Sequence, residues 1–179
     1  MTRRILAQGD RDGACFLYSV ANAYQALTGN AISRKQWTRA IDSIRFKSED
    51  FLSGRGTERL DDSSGDFKEL GEDFLSKLPL AKFDISSTKV ASQKALSSLI
   101  TNDQVLIIAI EDGDHWVCLV DSNNSVFHVA CSATALEEFD SYNESKTDMF
   151  GRYTNRAYSY RNLKLWMDCA LILRKSSDA

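Results

Sequence analysis

Gln8-Gly9-Asp10-Arg11-Asp12-Gly13-Ala14-Cys15-Phe16-Leu17-Tyr18-Ser19-Val20-Ala21-Asn22-Ala23-Tyr24 is a polar, glycine-punctuated loop that runs straight into an apolar helix, and Cys15 stands at the junction. A thiol in the first turn of a helix faces unpaired backbone N–H groups and the positive end of the macrodipole, and both favour the thiolate. The position suits a nucleophile. A nucleophilic cysteine needs a base to take its proton, most often a histidine, and the chain has 2 histidines, His115 and His128.

His115 lies in Asp112-Gly113-Asp114-His115-Trp116-Val117-Cys118-Leu119-Val120, where a Gly/Asp turn hands over to an apolar strand that His115 opens. His128 sits inside a later strand pattern and reads as a packed or surface-facing residue.

An early Gln, a Cys that opens a helix and a His that opens a later strand follow one another in the order found in papain-like cysteine peptidases. The chain resembles that superfamily, and its Gln-Gly-Asp-x-Asp-Gly start resembles bacterial and phage members. The resemblance rests on Gln8, on Gly13-Ala14-Cys15 and on His115-Trp116. It implies an α+β fold with N-terminal helices, the central one opened by the nucleophile, packed on a C-terminal antiparallel sheet.

It also implies cleavage of an amide bond, with a peptidase as the default activity and a protein or peptide as the substrate. Cys15 would attack, His115 would shuttle the proton, and the Gln8 side-chain amide with the Cys15 N–H would hold the oxyanion. Asp12, Gly13 and Trp116 would border the substrate. No cofactor and no metal enters this chemistry. The same site serves glutamine deamidases and acyltransferases, and an inactive papain-like binding module would keep the pocket without turnover.

The superfamily often orients its histidine with an Asp or Asn from the following strand, where this chain has Ala130-Cys131-Ser132. A hairpin turn at Asn123-Asn124 puts Ser132 opposite His115 and Cys131 opposite Trp116; a turn one residue earlier puts Ala130 there instead. His128 then pairs near Val117 to Leu119, roughly 7 Å or more from His115, and Asp121 lies roughly 20 Å along the strand at about 3.3 Å per residue. Neither suits the orienting role. Three options remain: Ser132 or a backbone carbonyl, Asp112 or Asp114 from the preceding turn, or a weakened or inactive relative.

With 179 residues of which 43% are apolar, the chain suits one domain over 1–179. The 22 basic and 25 acidic residues give a net charge of -3 without a basic run, which argues against nucleic acid as a partner. No signal-peptide core and no apolar run of spanning length is present, so the reading is a cytoplasmic protein with no membrane partner. The 4 cysteines form no Cys-x-x-Cys pair and suggest neither a disulfide scaffold nor a zinc site.

Periodicity predicts helices over 14–27, 33–45, 66–78 and 90–100, and strands over 82–86, 104–110, 115–120, 125–130 and 163–173. Loops 47–65 and 139–162 read as cleft-lining, and the aromatic stretch 150–166 could present a working surface to a partner.

Overall fold

The computed structural model describes residues 4–8, 13–45, 49, 65–79, 82–110, 115–133 and 152–176. Asp12, Asp112, Asp114 and, of the two expected cleft loops, residues 47–48, 50–64 and 139–151 lie outside the described residues.

Helix α1, Cys15–Thr28, carries apolar residues on most of its circumference and buries Phe16, Leu17, Val20, Ala21, Ala23 and Tyr24. A helix apolar all round belongs in the middle of a fold. Gly29, at a left-handed φ of 73°, ends it by returning its N–H to Gln25 O. Helix α2, Arg34–Ile41, opens on a capping box in which Ser33 Oγ accepts from Gln36 N and Gln36 Oε1 accepts from Ser33 N. It closes at Asp42, earlier than the pattern through 45 suggests. Helix α3, Gly65–Leu75, follows.

Strand β1, Phe83–Lys89, outruns the expected five-residue segment because its polar second half still pairs with a neighbour. Helix α4, Gln93–Leu99, is capped by Ser92. Strands β2 (Gln104–Ile110), β3 (His115–Asn123) and β4 (Val126–Ala130) form a meander. Strand β5 (Arg156–Ser159) adds to its edge, and β6 (Leu165–Lys175) returns to the middle. The sheet order is β1-β6-β2-β3-β4-β5, with every described pairing antiparallel.

Both faces of this sheet are covered, which accounts for near-continuous apolar runs in β2 and β3. On one face Val105, Ile107, Ala109, Trp116, Cys118 and Val120 pack with α1, α2 and α3. On the other, Leu106, Ile108, Ile110, Val117 and Leu119 pack with Leu96 of α4, Phe127 and Leu163. Each fully buried side chain of this size is worth about 1.5–3 kcal/mol.

The hairpin between β3 and β4 turns at Asn124-Ser125, one residue later than expected. Both residues have positive φ (46° and 62°), the backbone of a type I′ turn. The register begins at Asn123↔Val126, slips at Val120 through a bulge between Leu119 and Asp121, and ends at Cys118↔Ala130. Strand β5 carries no alternating pattern in Arg156-Ala157-Tyr158-Ser159 and owes its conformation to pairing with β4. It takes 156–159 out of the expected cleft loop. Tyr153 is buried, so the aromatic stretch does not face outward there.

Candidate active site

The N-cap of α1 is Ala14, whose side chain can accept no hydrogen bond, and the first turn contains no acidic residue. The contrast with α2 and α4, each capped by a serine, falls at the helix that Cys15 opens. The positive end of α1 is thus left without a side-chain oxygen from its cap. Cys15 is half-buried in that first turn, and its carbonyl accepts from Ser19 Oγ at 3.0 Å.

Gln8 reaches the same end by a different route. Arg4 donates from its backbone N to Arg152 O and from its guanidinium to Gly29 O, and Gln25 Nε2 donates to Arg4 O. Two residues on, Leu6 N donates to Asn22 Oδ1 at 2.8 Å. The segment therefore runs antiparallel to α1, from its C-terminal end toward its start. Gln8 lies two residues further along this course, on the side of Asn22 that leads toward the start of α1.

His115 is the first residue of β3 and only 9% exposed. The next residue, Trp116, packs edge-on against Phe16, the residue after Cys15, with ring centroids 5.0 Å apart. Trp116, which the resemblance places beside the substrate, is 2% exposed, and its ring also lies 4.7 Å from that of Phe67, within the core. Nε2 of His115 is buried with no hydrogen-bond partner among the described residues.

Ser132 follows the end of β4; carried on by two residues, the observed register brings it level with Trp116. Its bonds go to Gln8: Gln8 N donates to Ser132 O at 3.1 Å, and Ser132 Oγ donates to Gln8 Oε1 at 3.1 Å. The serine considered as a partner for the imidazole thus holds the glutamine. His128 is opposite Asp121, six positions from His115 along β3, and its Nε2 lies 3.0 Å from Asn123 Oδ1. That is farther from His115 than the expected register placed it, and in the same direction.

One residue of this region had no sequence signal. Asn155, 1% exposed, accepts from Cys131 N and donates to Cys131 O, both at 2.8 Å, with its side-chain amide. It pairs as a strand backbone would, just before Ser132. Cys118 is fully buried, which pushes its thiol well above the ordinary range and leaves it inert. No group of three or more His, Cys, Asp or Glu able to hold a metal ion occurs among the described residues. No helix is long and apolar enough to cross a membrane among them.

No family model matches the sequence, and no curated protein matches it. Solved structures do. The chain is similar to the peptidase domain of Streptococcus ComA, a bi-functional ABC transporter involved in a quorum-sensing pathway, at 14% identity and a TM-score of 0.55, over 97% of this chain and 98% of that one. It is also similar to a double glycine motif protease from an AMS/PCAT transporter, solved in complex with the leader peptide, at 10% identity and a TM-score of 0.52, over 97% and 95% of the two chains. The order of helices and antiparallel strands described above is the papain-like α+β fold that these peptidase domains share with this chain.

Proposed function

We propose that the chain is a papain-like thiol hydrolase that cleaves an amide bond in a peptide or protein. The observation that supports it best is the ring contact between Phe16 and Trp116, which joins the start of α1, next to Cys15, to the start of β3, next to His115. In this reading Cys15 Sγ adds to the substrate carbonyl, and His115 takes the thiol proton and later gives it to the leaving amine. The Gln8 amide and the Cys15 N–H carry the oxyanion. A peptide substrate is in keeping with the neighbours, one of which was determined with a leader peptide bound. A bacterial cytoplasmic setting suits it, since all four cysteines are unbridged and Cys15 acts as a free thiol.

The test is the pH dependence of Cys15 alkylation by iodoacetamide, with mass spectrometry separating it from the other thiols, in wild type and His115→Ala. Reaction well below pH 7 that is lost in the variant is the expected result. Reaction like a free thiol of pKa about 8.5, with His115 making no difference, sinks the reading. Peptides that contain Gly-Gly and peptides that contain glutamine then separate a peptidase, which shortens its substrate, from a deamidase, which only changes its mass.

A second reading, a papain-like binding module without turnover, is favoured by Nε2 of His115, which is buried with no hydrogen-bond partner among the described residues. It predicts ordinary thiol reactivity at Cys15.

A further inference from the structure

Ser132 grips Gln8 at both ends. The backbone N–H of Gln8 donates to Ser132 O, and the hydroxyl of Ser132 donates to Gln8 Oε1, each at 3.1 Å. Ser132 is 1% exposed, so water does not compete at its hydroxyl. The serine is itself held from behind, because Asn155 fixes both polar groups of the preceding Cys131.

Resting on the thiol-hydrolase reading, we propose that Ser132 is the positioning residue for the oxyanion donor, through Gln8 and not through the imidazole. A glutamine amide has two ends of nearly equal shape and opposite polarity. Turned one way it offers N–H to a developing oxyanion; turned the other it offers a carbonyl oxygen, which repels that charge. Here the Ser132 hydroxyl donates to Oε1, which holds the amide by its oxygen and turns the NH2 away from Ser132. Donors stabilise a transition state best when they are already aimed before charge develops, and this contact does the aiming. It joins residues 124 positions apart in the chain.

Two reactions of the same thiol separate the roles. With p-nitrophenyl acetate, Cys15 Sγ adds to the carbonyl, the oxygen takes the electron pair, and collapse breaks the C–O bond to release p-nitrophenolate and leave an acetyl thioester. With iodoacetamide, Sγ displaces iodide at a saturated carbon and no oxyanion forms. Ser132→Ala is expected to slow acylation of Cys15 about tenfold while leaving the rate and pH profile of alkylation unchanged. Gln8→Ala should slow acylation at least as much, and the double variant should be no slower than Gln8→Ala, because the serine acts only through the glutamine.

Gln8→Glu, which keeps an acceptor for Ser132 and removes the NH2, should also lose at least about tenfold; it serves if Ser132→Ala does not fold. Wild-type acylation in Ser132→Ala or Gln8→Glu overturns the proposal and leaves the hydrolase reading standing. So does a double variant in which the two losses multiply. A shifted alkylation profile in Ser132→Ala overturns it too, since Ser132 would then act on His115. A wild-type Cys15 that is acylated no faster than in His115→Ala overturns the hydrolase reading and this proposal with it.

Discussion

The ring of Phe16 meets that of Trp116 edge-on with centroids 5.0 Å apart, so the residues that directly follow Cys15 and His115 are in contact. Helix and strand are joined one covalent step behind the two residues proposed to act as nucleophile and base. Trp116 is 2% exposed, and Trp116→Ala should cost about 3–5 kcal/mol. Urea unfolding of the two proteins measures it; a loss under about 1 kcal/mol would show that the contact is not part of the packed core.

Asn155→Ala removes both partners of the Cys131 peptide at once and leaves a buried donor and a buried acceptor unsatisfied. Each such group costs about 1–3 kcal/mol, so the variant should lose at least about 2 kcal/mol. The midpoint of urea unfolding at unchanged slope is the quantity to compare.

Gly71, in the interior of α3, has a reason that lies outside its own helix. A Cβ there would stand 2.7 Å from Ile85 Cδ1 of β1. Gly71→Ala gains about 1 kcal/mol of helix propensity and meets an overpacking cost of about 1–3 kcal/mol, so the net is expected to be destabilising. Ile85→Val removes the methyl in the way. In a double-mutant cycle Gly71→Ala should cost less in that background than in wild type; equal cost in both would show that the two sites are independent.

Cys118 gives a pH dependence with a defined sign. Complete burial raises its thiol above the ordinary value of 9.0. The native state therefore keeps a proton that the unfolded chain gives up, and stability present below pH 9.0 is lost as the pH rises beyond it. The slope from this group approaches about 1.4 kcal/mol per pH unit. Other groups titrate there too, so the comparison is with Cys118→Ala, whose stability should fall less steeply between pH 8 and 10. Parallel curves for the two proteins would refute the assignment.

Much of the architecture was legible because two periodicities were clean. The broad apolar face of α1, the runs in β2 and β3, and Ser33 before α2 each carry their conformation locally. What escaped is set by partners far along the chain. Arg156-Ala157-Tyr158-Ser159 has no alternation and becomes a strand because the edge of β4 is open to it. The β3–β4 register was misplaced because Asn123-Asn124 and Asn124-Ser125 are both acceptable type I′ pairs, and no residue announced the bulge at Val120. In the candidate site, Gln8, Cys15 and His115 were visible as residue types at element boundaries. The tie between Gln8 and Ser132 was not, since hydrogen-bond choice at a buried hydroxyl depends on which acceptor the tertiary fold brings near.

The position of β6 between β1 and β2 bears on how the chain folds as it is made. Strands β2, β3 and β4 pair through short connections and can form as soon as they emerge from the ribosome. Strand β1 has been synthesised long before, yet its partner is β6, with Phe83 opposite Lys175. Until β6 arrives, one edge of β2 and the whole of β1 are left unpaired, and the apolar face that α1 and α3 cover is incomplete. Closure of the sheet is thus a late, long-range event, expected to be slow relative to hairpin formation and to leave the half-made chain exposed to aggregation.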